Sequence, residues 1–256
     1  MPGPSEFDRL CVVLVSTRNP LNIGAAARAM SNLGFLRLRV VNPYEASFRE
    51  ARSAMGAAPL LARAEEFSSV AEAVADCSLV VGTTAVGNRK LQHTFRQLRE
   101  AAPLIRRRLR AGSRVALLFG SEKRGLSNDD FSHCHWLLHV PTREEHTSMN
   151  LGQAVAVCLY ELARDAGATR NRPGSKPISK TEKPKSATSA ELERITTMLI
   201  DALRASGYLG ERSITAKEEK IRRMVRRLEF SSVDAELLLG MLRQMLWKMK
   251  PLGKGQ

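Results

Sequence analysis

The chain has 256 residues, and 40 Lys and Arg outnumber 26 Asp and Glu, which gives a formal net charge of +14. Hydrophobic residues make up 43% of it, enough to build the cores of one or two ordinary domains. No apolar run reaches the roughly 18 residues of a membrane span, the N-terminus lacks a signal-peptide pattern, and the four cysteines are scattered. We therefore expect a cytoplasmic protein, not a membrane protein or a disulfide scaffold, whose large partner is a polyanion.

The positive charge is concentrated in the last third of the chain. Residues 170–256 carry +9 of the +14. The stretch 170–189 is rich in Pro, Ser, Thr and Lys and has almost no apolar residues, so burial cannot offset its ordering entropy. The sequence thus predicts a basic flexible linker over 170–189, between a first domain of residues 1–169 and a C-terminal domain of residues 190–256.

The first domain alternates predicted strands and helices. In chain order the predicted elements are a strand over Leu10–Val15, a helix over 22–33 ended by Gly34, a strand over 36–41, and helices over 48–55 and 65–75. Next come a strand over 79–81, a helix over 94–110 interrupted by Pro103, strands over Val115–Phe119 and 136–140, and a helix over 150–165 capped by Thr147 or Ser148. This alternation predicts an α/β fold with a mostly parallel sheet, whose ligands bind where strands end.

The C-terminal segment shows helical spacing throughout. It predicts amphipathic helices over 190–205, 216–228 and 233–249, with Gly207 ending the first. Three such helices can bury one small core, which predicts a small all-helical domain. The middle helix carries Lys217, Lys220, Arg223 and Arg227 close to one face, so it would present a basic surface.

Three loops are candidates for chemistry because each follows a predicted strand. They read T-R-N-P-L-N-I-G-A-A-A-R over 17–28, F-G-S-E-K-R-G-L over 119–126, and P-T-R-E-E-H-T-S-M-N over 141–150. The first lacks two glycines of a dinucleotide fingerprint, and the second lacks the Lys and Ser/Thr of a phosphate loop. Taken singly, each loop is more typical of an ordinary strand-to-helix turn than of a binding site.

Together, in this order and spacing, the loops resemble the three signature motifs of the SpoU (TrmH-like) branch of the SPOUT RNA 2′-O-methyltransferases. Asn22-Ile23-Gly24 with Arg28 matches the first motif, and residues 118–126 match the second. Residues 148–151 with 159–161 match the third, although the family usually has Leu where this chain has Met149. The resemblance covers residues 10–165. The C-terminal helices are similar to the extension of the TrmJ type, which methylates the first nucleotide of the tRNA anticodon loop.

The resemblance implies a SPOUT-type sheet with a C-terminal trefoil knot, and a homodimer with its active site at the subunit interface. It implies S-adenosyl-L-methionine as the cofactor, bound in the knot, and tRNA as the partner. No metal and no membrane take part in this scheme. Carried over position by position, the cofactor contacts are Thr83, Thr84, Ala85, Gly120, Val140, Thr147, Ser148 and Met149.

The resemblance also implies a catalytic set centred on Arg28, which the family sometimes treats as a general base. A guanidinium stays protonated and has no lone pair to offer, so we expect Arg28 to grip the target phosphate and stabilise the developing 2′-alkoxide instead. The residues expected to orient Arg28 and the ribose are Asn22, Glu122, Ser148 and Asn150.

Two alternatives remain open at the level of sequence. One is a ribosomal RNA methyltransferase of the same family, which the nine or so residues before the first strand disfavour, because such enzymes often carry a substrate-binding domain there. The other is a non-catalytic RNA-binding module on the same fold, which the intact motifs disfavour.

The cluster of His133, Cys134, His135 and His139 suggests zinc, but neighbouring side chains of a strand point to opposite faces, so we expect structural roles.

Overall fold

A seven-stranded parallel sheet forms the centre of the computed structural model, which describes residues 6–51, 56, 58–85, 93–164, 185–209 and 214–249. The strands are β1 Leu10–Val15, β2 Arg37–Val41, β3 Glu65–Phe67, β4 Leu79–Thr83, β5 Phe95–Gln97, β6 Val115–Phe119 and β7 Trp136–His139, and their order across the sheet is β3-β2-β1-β6-β4-β7-β5. Every strand pair is parallel, from Cys11 against Arg37 to Phe95 against Leu137.

Helices cover both faces of this sheet. They are α1 Pro20–Leu33, α2 Glu45–Ala51, α3 Ala58–Ala62, α4 Val70–Ala73, α5 Leu98–Arg110, α6 Asn128–Ser132 and α7 Leu151–Ala163, with 3-10 turns at Glu6–Arg9 and Glu144–His146. One core cluster joins the sheet to α1, α5 and α7, and a second joins its other face to α4 and α6. Strands β1 and β6 are buried along their whole length, because apolar side chains meet helices on both sides.

The chain reverses its direction of travel across the sheet between β1 and β6. From β1 it runs outward through β2 to β3, and it then crosses to β4 on the other side of β6. A reversal of this kind opens a crevice at the carboxyl ends of the strands. The three candidate loops of the sequence leave β1, β6 and β7, so the fold brings them to the same edge.

Helix α1 is fixed at both ends by its sequence and lies very close to α7. The Asn19 side chain accepts a hydrogen bond from the Leu21 N–H, Pro20 occupies the first turn, and Gly34 ends the helix at a φ of 80°, as predicted. A Cβ atom placed on Gly152 of α7 would lie 2.6 Å from the Ala25 Cβ. Only glycine allows the two helices to approach this closely.

Two predicted helices are partly strands in the structure, and both corrections concern edges of the sheet. Within 65–75, Glu65–Phe67 pairs with β2, and a helix begins only after Ser69, whose side chain accepts a hydrogen bond from the Glu72 N–H. Within 94–110, Phe95–Gln97 pairs with β7 before α5 starts. Pro103 does not interrupt α5, because it lies on the exposed side, where the carbonyl left without a partner faces water.

The predicted C-terminal helices are confirmed as α8 Ser189–Ala205, α9 Ile214–Arg227 and α10 Ser232–Met249, and they share a small apolar core. Residues 185–189 belong with this bundle and not with a flexible linker. Ala187 is buried and donates its N–H to the Phe230 carbonyl at 2.9 Å, while Ser189 donates to the Cys77 carbonyl of the sheet domain at 2.8 Å. The remainder of the expected linker, 170–184, lies outside the described residues.

Within the part of the chain that the structure describes, no helix has the length and apolar content that crossing a membrane requires. Two arginines at the end of α5 have structural partners. Arg106 is buried and donates to the Glu161 carbonyl at 2.8 Å, and Arg108 donates to the Ser186 hydroxyl at 2.9 Å. The second of these contacts ties α5 to the start of the C-terminal bundle.

Candidate active site

A cavity of about 550 Å³ opens at the carboxyl ends of β4, β6 and β7. It is lined by all the residues carried over as cofactor contacts, which come from three separate loops. These are Thr83, Thr84, Ala85, Gly120, Val140, Thr147, Ser148 and Met149. Asn22, Glu122 and Asn150 line it as well, so the fold gathers most of the expected site into one place.

Gly120 is the point at which the chain lies closest to itself. A Cβ atom at this position would overlap the backbone of Gly125 and of Leu126. The loop folds back because the Gly125 N–H donates to the Ser121 carbonyl at 2.8 Å and Gly125 adopts a φ of 65°. Only glycine fits at position 120, and the loop can therefore fold back on itself at the cavity wall.

Hydrogen bonds from Thr83 and Thr84 connect neighbouring strands below the cavity. The Thr83 hydroxyl donates to the Leu118 carbonyl at 2.7 Å, which joins β4 to β6. The Thr84 N–H donates to the Leu138 carbonyl at 3.0 Å, which joins β4 to β7. These bonds hold the floor of the cavity in a fixed shape.

A carboxylate connects the first and second candidate loops. Glu122 accepts hydrogen bonds from the backbone N–H groups of Arg18 and Asn19, at 3.3 and 3.1 Å, and from the Asn22 amide at 3.2 Å. Partial burial alone would raise the pKa of Glu122. The hydrogen bonds, which include one from its own backbone N–H, outweigh burial and hold that pKa below its ordinary value.

The ionised Glu122 determines how the neighbouring amides are oriented. A carboxylate only accepts hydrogen bonds, so Asn22 turns its Nδ2 toward Glu122 and its Oδ1 toward Asn150, whose Nδ2 donates at 2.7 Å. Asn150 then uses its own Oδ1 to accept from the Gly152 and Gln153 N–H groups at the start of α7. One chain of hydrogen bonds thus runs through all three loops.

The cap of α7 is Asn150, so the prediction of Thr147 or Ser148 as the cap is wrong. Met149 and Asn150 separate those two residues from the helix, and Thr147 and Ser148 are both exposed at the cavity wall. Their hydroxyls lie where a ligand in the cavity can meet them. Lys123 and Arg124 also line the cavity, and the sequence interpretation missed them, although both lie inside the second motif.

Arg28 is exposed on α1 and does not line the cavity. Its guanidinium lies beside Gly56, where an added Cβ would be 3.9 Å from it. Residues 22 and 28 are six positions apart, which on a helix turns their side chains to different faces. The structure therefore gathers Asn22, Glu122, Ser148 and Asn150 at the cavity and leaves Arg28 outside its wall.

The histidine cluster has packing roles. His135 Nδ1 accepts from the Val80 N–H at 3.1 Å, and burial lowers the pKa of His135 to about 3. Cys134 is buried against Gly82, and the His133 carbonyl accepts from Arg226 at 3.0 Å. Across residues 6–249, where they are described, no three His, Cys, Asp or Glu side chains are grouped to hold a metal ion.

Helix α9 divides its arginines between two sides. Arg226 is buried and donates to Glu193 of α8 at 2.9 Å, and Arg222 donates to the same carboxylate at 3.0 Å. The opposite side carries Lys220, Arg223 and Arg227, which line a second, shallow cavity of about 280 Å³.

The cations on that outer side act on His93, which contacts a residue of the first cavity's lining. Burial is the main cause that lowers the pKa of His93, and the charges of Arg223 and Arg227 lower it further. His93 contacts the Phe131 carbonyl at 2.8 Å, and Phe131 itself lines the first cavity. The cations of α9 are therefore close to the loop region around the candidate site.

Comparison with known proteins gives a consistent picture. A family model described as the SpoU rRNA Methylase family matches residues 9–160. The tRNA (cytidine/uridine/adenosine-2′-O-)-methyltransferase TrmJ of Pseudomonas aeruginosa strain UCBPP-PA14 is 34% identical over 93% of this chain and 94% of its own length. TrmJ of Sodalis glossinidius, a tRNA (cytidine/uridine-2′-O-)-methyltransferase, is 32% identical over 94% and 92%. The crystal structure of TrmJ from Z. mobilis ZM4 has a TM-score of 0.77 at 30% identity and covers 92% of this chain and 98% of that one.

Proposed function

The chain belongs to the SpoU rRNA Methylase family, and from this premise we propose that it is an S-adenosyl-L-methionine-dependent tRNA 2′-O-methyltransferase. Its target is the ribose of the pyrimidine at position 32, the first nucleotide of the anticodon loop. The observation that carries the proposal is the single cavity that joins all three motifs. Relatives that match more than nine-tenths of the chain are tRNA 2′-O-methyltransferases by name, which supports tRNA as the substrate.

The cavity fits S-adenosyl-L-methionine in size and in the groups that it offers. Its volume of about 550 Å³ lies in the range of small-molecule sites. Gly120 lets the loop after β6 fold back at the cavity wall, and Thr147 and Ser148 offer exposed hydroxyls there. The loops after β4, β6 and β7 would hold the cofactor, which supplies an electrophilic methyl group on a sulfonium.

The residues of this chain contribute orientation and charge. The nucleophile is the ribose 2′-hydroxyl of the RNA, which must be aligned in line with the methyl group. The chain from Glu122 through Asn22 to Asn150 fixes the three loops relative to one another, and Ser148 lies exposed at the cavity wall between them. The 2′-hydroxyl proton is finally released to solvent, and Arg28 is not its acceptor, because a protonated guanidinium has no lone pair.

Arg28 acts on the RNA and not on the cofactor. Its exposed position outside the cavity wall supports contact with the target phosphate, where a planar cation binds two oxygens and stabilises the developing alkoxide. We expect Arg28→Ala to abolish methyl transfer and to leave cofactor affinity, measured by calorimetry, within about twofold. Arg28→Lys, the matched control, keeps the charge and loses the fork. An equal loss of cofactor affinity and turnover in Arg28→Ala would contradict this role.

The C-terminal segment, residues 190–256, acts as the tRNA-binding extension of a methyltransferase domain at residues 1–169. The cations on the outer side of α9 and the +9 charge of residues 170–256 support this division. The charges of Arg223 and Arg227 lower the pKa of His93, whose ring contacts the Phe131 carbonyl, and Phe131 lines the cavity, which supports a role for that charge near the candidate site.

The remaining architecture follows the family pattern: a trefoil knot around the loops after β6 and β7, and a cytoplasmic homodimer whose site lies at the subunit interface. Leu21 supports the dimer, because it is 79% exposed directly beside Asn22. Tyr160 and Val157 of the neighbouring α7 are exposed as well. A second copy that covers this face would complete the surroundings of the cavity.

The decisive experiment maps 2′-O-methylated nucleotides in total RNA from a deletion strain and its parent. Loss of methylation at tRNA position 32 is the expected result. Loss of methylation in ribosomal RNA, with tRNA methylation unchanged, would favour the ribosomal alternative, which is the substrate named in the family's description.

The purified protein should keep its activity in a chelator, and activity that required added zinc would overturn the metal-free scheme.

A further inference from the structure

Helix α10 is apolar on two opposite sides. On one side Ala235, Leu239 and Leu242 are buried in the core of the C-terminal bundle. On the other side Val233, Leu237, Met241 and Met245 recur at every fourth residue and are 67%, 60%, 47% and 56% exposed, and we call these four residues the α10 stripe. A helix that is apolar all round is normally covered on both sides, and a contiguous exposed apolar face marks an interaction site.

The stripe positions of α10, unlike the helix as a whole, are symmetrical about Met241 in apolarity, and they are flanked by charges of opposite sign. Leu237 and Met245 stand four residues before and after it, and Val233 and Met249 stand eight before and after it. Asp234 and Lys248 stand seven residues before and after it, and both are exposed. At about 100° per residue, both charges lie on the same side of the helix as the stripe.

We infer that the α10 stripe binds the α10 stripe of a second copy of this chain, antiparallel and centred on Met241. In that arrangement Leu237 of one copy packs on Met245 of the other, and Asp234 of one copy meets Lys248 of the other at each end. A two-fold interface requires this reciprocal complementarity, in which residue i contacts j and j contacts i. Parallel pairing would instead set Asp234 against Asp234 and Lys248 against Lys248.

The chemistry of the stripe favours a protein partner over RNA. Between Asp234 and Arg243 the exposed stripe face carries no cation, whereas the phosphate-facing cations lie on α9. Methionine side chains adapt to one another's shape, which suits a self-complementary contact. One face of an 18-residue helix is smaller than a standard interface of about 800 Å² per partner, so the contact gains strength when another interface already holds two copies together.

Disulfide trapping in the full-length chain tests this pairing without cofactor or tRNA, so its outcome is independent of the proposed enzymatic function. All four native cysteines are buried, which keeps the background low. Met241→Cys, oxidised with glutathione disulfide, should run mainly as a cross-linked dimer on a non-reducing gel. Arg243→Cys, about 200° away around the same helix, is the matched control and should stay single. Equal yields from the two variants would overturn the pairing.

The register has its own test. In the antiparallel arrangement two copies of residue 237 are about 12 Å apart along the axis, so Leu237→Cys alone should not cross-link. An equimolar mixture of Leu237→Cys and Met245→Cys chains should do so. In the Met241→Cys background, Lys248→Glu should lower the yield severalfold by facing Asp234, while Lys248→Arg should preserve it. Cross-linking of Leu237→Cys with itself would overturn the antiparallel register.

Discussion

We propose that the cavity at the sheet edge and the outer side of α9 contact the same RNA, yet the two regions differ in their chemical groups. The loops of the cavity are connected by amides, a hydroxyl and one carboxylate, which are hydrogen-bonded to one another or to backbone groups. The outer side of α9 carries cations around a shallow surface. Methyl transfer demands fixed geometry, whereas affinity for a polyanion demands mainly charge. Substitutions in the two regions should therefore change different measured quantities.

The inner side of α9 differs from both regions in the partners of its arginines. Arg226 and Arg222 are as cationic as their outer neighbours, but they are committed to Glu193 and to the His133 carbonyl. They join the bundle to α6, which follows the second motif. Neighbouring arginines on one helix thus differ in their surroundings, since Arg226 is buried and Arg227 is exposed.

The largest effect is expected in the cavity. Gly120→Val should lower cofactor affinity by at least ~100-fold, about 2.7 kcal/mol, because its side chain would overlap the Gly125 and Leu126 backbone and reshape the wall. Calorimetry measures the affinity, and thermal unfolding shows whether the variant folds. Asn128→Ala, at an exposed position shortly after this loop that does not line the cavity, is the control that should keep cofactor affinity. A folded Gly120→Val protein with unchanged affinity would contradict the assigned site.

The next effect is on the free energy of unfolding, and it should differ between a buried and an exposed arginine of α9. Arg226→Ala should reduce the free energy of unfolding by about 1–3 kcal/mol, because the His133 carbonyl loses its donor and the Glu193 carboxylate keeps only Arg222. Arg227→Ala, one residue along and exposed, should change it by less than about 0.5 kcal/mol. Urea denaturation measures both, and equal losses would contradict the division of the helix.

Replacing Lys220 and Arg227 should change tRNA affinity without changing stability, whereas Arg223 also pairs with Glu219 at 3.7 Å. Replacing Lys220, Arg223 or Arg227 by Gln should weaken tRNA binding and flatten its salt dependence by about 0.9 log units per log unit of salt for each phosphate contact on a duplex. Filter binding over a range of salt concentrations measures the slope. An unchanged slope in the triple variant would show that these charges are only solvated.

The smallest effect is a pH dependence of stability. Burial, and then the charges of Arg226 and Arg222, lower the pKa of His133 to about 3. Between the ordinary value near 6.5 and that value, the unfolded chain binds a proton that the folded chain does not, so stability falls as the pH falls. The slope should be about 1.4 kcal/mol per pH unit for this residue, and His133→Asn should remove it. Denaturation between pH 4 and pH 6 measures the slope, and an identical slope in the variant would exclude His133 as its source.

Sequence predicted the parts of the fold in which local pattern and burial agree. The strands at Leu10–Val15 and Val115–Phe119 are confirmed residue by residue. Each is a continuous apolar run that is buried along its whole length in a sheet covered on both faces. Gly34 ended its helix as predicted. The grouping of the cavity residues was predicted through the family resemblance, and no property of the single loops would have revealed it.

The missed features depend on partners that lie far away in the chain. Strands β3 and β5 are three residues long and exist because β2 and β7 offer an edge, so no local periodicity marks them. The burial of Arg226 depends on Glu193 and on His133, 33 and 93 residues away. A helical pattern places such an arginine on the polar face, and only the packed structure shows that this face is covered.

The contact between Gly152 and Ala25 has a consequence for how function is recognised among related sequences. A methyl group on Gly152 would meet the Ala25 Cβ at 2.6 Å and push α7 away from α1. Asn150 lies two residues before that point, and its amide reaches Asn22 on α1. A descendant with Ala at position 152 would retain every motif residue of the three loops while its two amides separated. A search by signature would still count that protein as active, although one added methyl group had silenced it.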